Sequence, residues 1–336
     1  MKNQTISHHL CKASFLTITI GLIGCNNFSL NTTYIQASQT TTTNINKNLP
    51  QVVATTSVLC DLTKQIAGDT ININCLIPPD VDPLVYQPTP EDRQAIEQAK
   101  LVLYHGYNHE PELIKIIKNT KNSAPKIAVA QTALPQPQKF QLNGKKFIDP
   151  HIWHNVKNTI KMVEVINKNI GKLSPGNSKL YNNNTKEITK ELNQLHSWVK
   201  SRLASIPAKK RKLVTTHYGM LYYIKAYNMP YIVTLKGISN EEKLTNAKVK
   251  ALAKNIQKSK AYTIFADTTT NPNLLEPIAK KANVQVFARQ LYIDGLGDFG
   301  SDGETYQKMM DANTRSIVEG LGGTYLKFAP NLKVDN

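Results

Sequence analysis

The sequence predicts an α/β protein with two lobes, each built on a parallel sheet, and one long rigid helix that joins them. Short apolar runs alternate with helix-like stretches over residues 51–130, and a second alternation of the same kind follows Pro207. Between the two series, residues 177–204 carry apolar side chains that fall at helical spacing toward the end of the segment. Strands that alternate with helices are typical of parallel sheets, which supports this fold class.

The elements of the first lobe follow from its apolar runs, taken in chain order. The ordered part begins with the run QVVATTS, which is typical of a strand, and a helix-like stretch comes directly after it. The same pairing recurs along the chain. The predicted strands are residues 51–57, 71–77, 101–106 and 126–130, and the predicted helices are residues 61–68, 91–100 and 111–119.

The second lobe repeats this pattern after Pro207. Its first strand, KLVTTH, runs into an aromatic helix-like stretch, and three further strands follow. The predicted strands are residues 212–217, 232–235, 262–267 and 285–289, and the predicted helices are residues 218–228, 246–260 and 272–282.

A single helix is predicted to connect the lobes. At about 27 residues it would be about 40 Å long, enough to span both lobes as a stiff rod that limits hinge motion. The predicted organisation is a first lobe at 49–176, a connecting helix at 177–206 and a second lobe at 207–336. Residues 25–48 are rich in Asn, Thr and Ser and are expected to form a flexible tether.

Residues 1–24 have the pattern of an export signal. Lys2 and Lys12 precede an uncharged run at 13–24 that is too short for a stable membrane anchor. The run ends in Leu-Ile-Gly before Cys25, which resembles the lipobox of bacterial lipoproteins, where the cysteine carries lipid. We expect a lipoprotein held at the membrane through Cys25, in the periplasm or on the outer face of the cell membrane; the alternative is a plain secretory signal.

The remaining cysteines predict one disulfide. Cys11 would leave with the signal and Cys25 would carry the lipid, so an exported chain keeps only Cys60 and Cys75. In an oxidising compartment these two are expected to pair. A cysteine-based metal site is the alternative, and the lack of a nearby histidine argues against it.

The charge of +17 raises the question of nucleic-acid binding. The lysines are spread along helical stretches, with one compact cluster at 209–212, and neither a recognition helix nor an aromatic platform stands out. We therefore expect no nucleic acid as partner, and a basic surface that faces anionic lipid.

Four polar side chains stand near strand ends, where open parallel sheets bind ligands. His105 follows one strand, His151 lies in the stretch DPHIWHN, His217 follows the strand KLVTT, and Asp294 follows QVFARQLYI. If the lobes face each other, all four would point toward one cleft.

Five motifs in order make a specific resemblance. They are DPLVYQPTPED (82–92), YHGYNHEP (104–111), DPHIW (149–153), TTH (215–217) and YIDGLG (292–297). Together they resemble the zinc/manganese solute-binding lipoproteins of ABC transporters over about residues 51–330. The resemblance implies two α/β lobes joined by a long helix, a single metal ion in the cleft, and delivery of that ion to a membrane permease.

The resemblance also implies the metal ligands. Its DPH motif gives His151, its second-lobe histidine gives His217, and its carboxylate gives Asp294. Its first histidine falls on Leu84, which cannot bind a metal. We expect His105 to supply the missing nitrogen.

Other ways of completing the site stay open. Water can fill the fourth position, and His109 and His154 are weaker candidates as ligands. Leu84 could also mark the loss of metal binding.

Nitrogen donors favour Zn²⁺ over Mn²⁺, although the chain lacks the histidine-rich loop of some zinc-specific members. The expected protein is a monomeric binding protein and not an enzyme, and no phosphate-binding glycine loop occurs in it. The alternatives are a surface adhesin or interaction lipoprotein and, less favoured, a zinc-dependent hydrolase.

Overall fold

Four parallel strands form the sheet of the first lobe in a computed structural model of the protein, which describes residues 48–142, 144–216, 218–235 and 244–331. The strands are Gln51–Ala54 (β1), Asn72–Cys75 (β2), Leu101–Tyr104 (β3) and Lys126–Ala128 (β4). Their spatial order is β2–β1–β3–β4, and every neighbouring pair is parallel. Val52 and Ala54 pack into one part of the core and Val53 into another, because successive side chains of a strand point to opposite faces.

Five helices accompany this sheet, and hydroxyl side chains determine where the first two begin. The helices are Ser57–Ala67 (α1), Pro90–Gln98 (α2), Pro111–Asn119 (α3), Val129–Ala133 (α4) and Val156–Leu173 (α5). Helix α1 begins four residues before the predicted start because the Thr56 hydroxyl accepts a hydrogen bond from Leu59 N at 3.3 Å. Helix α2 begins with a reciprocal pair of capping bonds between Thr89 and Asp92.

A short antiparallel hairpin leads into the segment that carries His151. Its strands are Lys139–Leu142 (β5) and Lys145–Ile148 (β6). The sequence analysis assigned no structure to this stretch, which is largely exposed.

The predicted disulfide is present. Cys60 on α1 and Cys75 at the end of β2 are joined, with their Cα atoms 5.6 Å apart. The bond fastens the edge strand of the first sheet to the helix that precedes it.

The connecting helix confirms the prediction closely. It spans 27 residues, Ser178–Ala204 (α6), and it contacts both lobes. Asn184 donates to the carbonyl of Ile66 on α1, and the Glu191 carboxylate accepts from Gln307 of the second lobe at 3.0 Å. Contacts with both lobes make the helix a rigid strut between them.

The second lobe has its own parallel strands. They are Lys212–Thr215 (β7), Tyr231–Thr234 (β8), Thr263–Ile264 (β9) and Gln285–Val286 (β10). Strand β7 pairs with β8 and β9 with β10, and a parallel bridge between Thr215 and Phe265 connects the two pairs. The helices are Leu221–Ala226 (α7), Asn246–Ser259 (α8), Glu276–Ala282 (α9) and Tyr306–Gly320 (α10), of which α10 was not predicted.

Hydrogen bonds tie the first lobe directly to the second. The Leu296 amide donates to the Ser57 hydroxyl at 3.0 Å, and the Leu296 carbonyl accepts from Asp80 N at 3.1 Å. The Asp61 carboxylate accepts from Tyr306 N, at the start of α10, at 2.9 Å. These bonds bring the start of α1 next to the segment that contains Asp294.

Several predictions fall outside the described residues. They are the signal at 1–24, the lipid-bearing Cys25, nearly all of the tether at 25–48, and His217. Within the part of the chain that the structure describes, no helix is both long and apolar enough to cross a bilayer.

Candidate metal centre

His151 and Asp294 meet across the two lobes. His151 Nε2 lies 3.1 Å from Asp294 Oδ1, and both side chains are buried. On the other side of the ring, Asp149 Oδ1 accepts from His151 Nδ1 at 2.8 Å and from His151 N at 3.0 Å. The Asp149 carboxylate therefore fixes the ring so that Nε2 is directed at the second lobe, as outer carboxylates do for metal-binding histidines.

The protonation of His151 follows from this arrangement. Burial alone would lower its pKa, but the hydrogen bonds and negative charges of Asp149 and Asp294 outweigh burial, so the pKa of His151 is raised. The raised pKa favours the protonated ring, in which Nε2 carries a proton and donates it to Asp294. A cation that binds both groups would replace that proton.

Polar groups of the second lobe surround Asp294. Thr269 Oγ1 lies 3.3 Å from Asp294 Oδ2 and 2.5 Å from Asp267 Oδ1. Asp267 is buried just after β9 and also accepts a hydrogen bond from the Thr216 hydroxyl. The sequence analysis missed Asp267, although its position after a strand is the same signal that identified His105 and His217.

Four buried histidines surround Trp153. The ring centroids of His105, His109, His151 and His154 lie 5.0, 5.2, 5.2 and 5.3 Å from the Trp153 ring. All four are at most 5% exposed. Imidazole is a common ligand of zinc, so this histidine cluster brings several possible donors to one place in the first lobe.

His105, the predicted replacement ligand, is held by the backbone. Its Nε2 donates to the Pro150 carbonyl at 2.7 Å, and its amide donates to Glu110 Oε1 at 2.6 Å. Burial lowers the pKa of His105 to about 3, so the ring is neutral and keeps a lone pair on Nδ1. Burial also raises the pKa of Glu110 to about 7.

His154 is likewise committed to a backbone group. Its Nε2 lies 2.8 Å from the Ile293 carbonyl, so it connects the first lobe to the residue before Asp294.

Leu84, in the place of an expected ligand, is 49% exposed on the loop between β2 and α2. Among the residues that the structure describes, no three histidine, cysteine or carboxylate side chains converge closely enough to hold an ion.

Asn313 on α10 supports the Asp294 segment and was not identified from sequence. Its side chain accepts from Tyr292 N and donates to Tyr292 O, both at 2.8 Å. This pair of bonds fixes the backbone two residues before Asp294. No motif marked Asn313 as functional, because its role depends on the position of α10.

Comparisons with known proteins agree with this architecture. The family model for the periplasmic component A of the zinc-uptake complex matches residues 52–320. The metal ABC transporter substrate-binding lipoprotein ScbA of Streptococcus cristatus is 31% identical over 292 residues, which cover 85% of this chain and 93% of that protein. The manganese ABC transporter substrate-binding lipoprotein PsaA of Streptococcus pneumoniae is 32% identical over 277 residues, which cover 81% and 89%.

A solved structure is similar over the same region. The periplasmic zinc-binding protein TroA from Treponema pallidum superimposes with a TM-score of 0.74 at 28% sequence identity. The match covers 81% of this chain and 99% of that one.

Proposed function

Because the chain belongs to the family of the periplasmic zinc-uptake component A, we propose that it captures a divalent metal ion outside the cytoplasm and delivers it to the permease of an ABC transporter. The relatives named above are substrate-binding proteins of such transporters, and this chain is likewise a binding protein and not an enzyme. The metal is its cargo.

The observation that carries this proposal is the 3.1 Å contact between His151 Nε2 and Asp294 Oδ1. The two residues are 143 positions apart in sequence and come from different lobes. An ion bound between them would hold the lobes together. The charge also supports a cation, because two buried carboxylates, Asp149 and Asp294, face one imidazole ring.

We propose His151, Asp294 and His217 as the core of the ligand set, with zinc as the preferred ion. Two imidazoles and one carboxylate are a ligand set typical of zinc, whereas manganese prefers more oxygen donors. The relatives include proteins named for manganese and for zinc, so direct competition between the two ions is the relevant test.

The test is calorimetric titration of the purified protein with Zn²⁺ and Mn²⁺. We expect one ion per chain and tighter binding of zinc. His151→Ala and Asp294→Ala should each weaken binding by well over about tenfold, because even residues that only support a ligand are worth about 10–100-fold. His196→Ala is the control, since His196 lies on α6 against Tyr227 and away from the cluster. Binding that is unchanged in both site variants would refute the assignment.

We also propose that the protein is anchored to the membrane through lipid on Cys25. Metabolic labelling with a radioactive fatty acid should mark the wild-type chain and not Cys25→Ala. Equal labelling of both proteins would refute the anchor.

A further inference from the structure

His109 lies beside the proposed ligand His151. Its ring centroid is 5.5 Å from that of His151, and the two planes meet at 73°, edge to face. His109 is 1% exposed, although it stands in a loop between β3 and α3. Loops usually run over the surface, so a buried loop histidine next to a metal ligand requires an explanation.

The separation of the two rings suits a shared ion. A zinc–nitrogen bond is about 2.0–2.1 Å, and the ring centre lies roughly 1 Å beyond the nitrogen. Two imidazoles on one tetrahedral ion therefore have their centres about 5 Å apart. The observed 5.5 Å is longer than that value, so the side chains would have to shift slightly before both rings could bind one ion.

The backbone before His109 is held in an uncommon conformation. Gly106, Tyr107 and Asn108 have successive φ values of 91°, 56° and 58°, all in the left-handed region. Asparagine tolerates this region, but tyrosine adopts it at a cost of about 1 kcal/mol or more. The Tyr107 hydroxyl donates to the Leu134 carbonyl, and His109 N donates to the Gly106 carbonyl at 3.1 Å.

This strained turn reverses the chain and brings the His109 ring into the histidine cluster. Backbone strain of this kind is found mainly where it positions a functional group. Gly106 cannot be replaced without disturbance, since an added Cβ would lie 2.4 Å from the Gln131 side chain. The hydrogen bonds of Tyr107 and His109 and the packing of Gly106 against Gln131 therefore hold this turn in place.

Two neighbouring histidines each place one ring nitrogen on a backbone carbonyl. His105 Nε2 donates to the Pro150 carbonyl at 2.7 Å, and His154 Nε2 lies 2.8 Å from the Ile293 carbonyl. Each of these rings could therefore reach the ion only through its other nitrogen, Nδ1. Leu84 has no donor atom.

We propose that His109 is a metal ligand, and that it supplies the second imidazole of the first lobe beside His151. This inference rests on the proposed function, because it needs an ion bound at His151 and Asp294. His105 then acts as a positioning residue, whose ring packs 4.9 Å from that of His109.

The first experiment needs no variant. X-ray absorption at the zinc edge, on the purified protein loaded with one equivalent of Zn²⁺, counts the imidazoles bound to the ion. We expect three, from His109, His151 and His217. A count of one would overturn the proposal, because His109 and His151 alone give two. With a count of two, the variants described next decide whether His109 is one of the bound rings.

The second experiment identifies the extra ring. His109→Phe keeps an aromatic ring against Trp153 but has no lone pair, and His105→Phe makes the same change at the rival ligand. We expect His109→Phe to lose one imidazole from the zinc spectrum and to bind Zn²⁺ at least about tenfold more weakly, by analogy with the loss of groups that support a ligand. His105→Phe should keep all three imidazoles, and thermal melting checks that both variants are folded.

The outcomes separate the two proposals. If His109→Phe keeps the wild-type spectrum, or if His105→Phe is the variant that loses an imidazole, then His109 is not the ligand while the transport function stands. If the wild-type protein binds neither Zn²⁺ nor Mn²⁺, the proposed function fails and the assignment of His109 fails with it.

Discussion

Replacing Asp61 with asparagine should stabilise the protein at neutral pH. Asp61 lies on α1 and is partly buried against the start of α10. Burial raises its pKa from the ordinary 3.8 to about 6, and two hydrogen bonds and the charge of Lys64 offset this only in part. The folded state therefore binds the proton more tightly than the unfolded state does.

The sign and the size follow from this difference. A carboxyl group with a raised pKa contributes stability below about pH 4, and that contribution is lost as the pH rises through about 6. The change from 3.8 to about 6 corresponds to at most about 3 kcal/mol, at about 1.4 kcal/mol per pKa unit. Partial exposure to solvent reduces the expected gain to about 1–3 kcal/mol.

Asparagine can keep the existing hydrogen bonds. Gln65 Nε2 and Tyr306 N both donate to the same oxygen of Asp61, Oδ2, at 2.7 and 2.9 Å. The single amide oxygen of asparagine can take that place, so the variant loses the buried charge without losing either bond. The free energy of unfolding should rise by about 1–3 kcal/mol at pH 8 and change little at pH 4.

The assay is urea unfolding at both pH values, with exposed Asp69→Asn as the control. The control should stay within about 0.5 kcal/mol of wild type at both. The reasoning is wrong if Asp61→Asn is no more stable than wild type at pH 8, or if its gain is the same at pH 4.

Three further predictions concern the disulfide and the metal site. Replacing Cys60 and Cys75 together by serine should lower the free energy of unfolding by about 3 kcal/mol, because the bond closes a loop of about 15 residues; identical urea curves for variant and wild type would contradict this. Asp149→Asn should weaken zinc binding by about 10–100-fold in calorimetry, because the Asp149 carboxylate orients the His151 ring. An unchanged affinity would show that His151 does not need this hydrogen bond to bind the ion. Zinc affinity should fall by up to about tenfold per pH unit as the pH drops from 8 to 6, because the raised pKa of His151 makes a proton compete with the ion. Calorimetric titrations that are independent of pH would exclude this competition.

Continuous patterns in the sequence predicted much of the fold. Buried parallel strands read as apolar runs, so β1 and β3 were evident from QVVA and LVLY. The connecting helix was predicted at 177–206 and is observed at Ser178–Ala204, because its later apolar positions recur at helical spacing.

Other elements depend on tertiary contacts and were missed. Helix α10 buries Asn313, Thr314 and Ser316, so polar residues interrupt the apolar pattern that would have revealed it. Their hydrogen-bond partners are distant in sequence: Thr314 Oγ1, for example, forms a hydrogen bond of 2.8 Å with the Tyr223 hydroxyl. The hairpin β5–β6 is short and polar, although its Asn143-Gly144 pair is a recognised hairpin signal.

The candidate site was only partly predictable for a similar reason. His151 and Asp294 were identified from strand ends and motifs, and the structure brings them within 3.1 Å. The position of His109 beside His151 depends on a left-handed turn over residues 106–108, which the sequence GYN permits but does not require. Whether His217 binds the ion stays a prediction. The sequence-based prediction that His105 is a ligand is also untested, and the proposal for His109 replaces it.

The most direct test of the metal site is a crystal structure of the zinc-loaded protein with diffraction data at the zinc absorption edge. The account predicts a single anomalous peak between the lobes, about 2.0–2.2 Å from both His151 Nε2 and an oxygen of Asp294. A fully occupied zinc ion bound elsewhere, with His151 still hydrogen-bonded to Asp294, would contradict it.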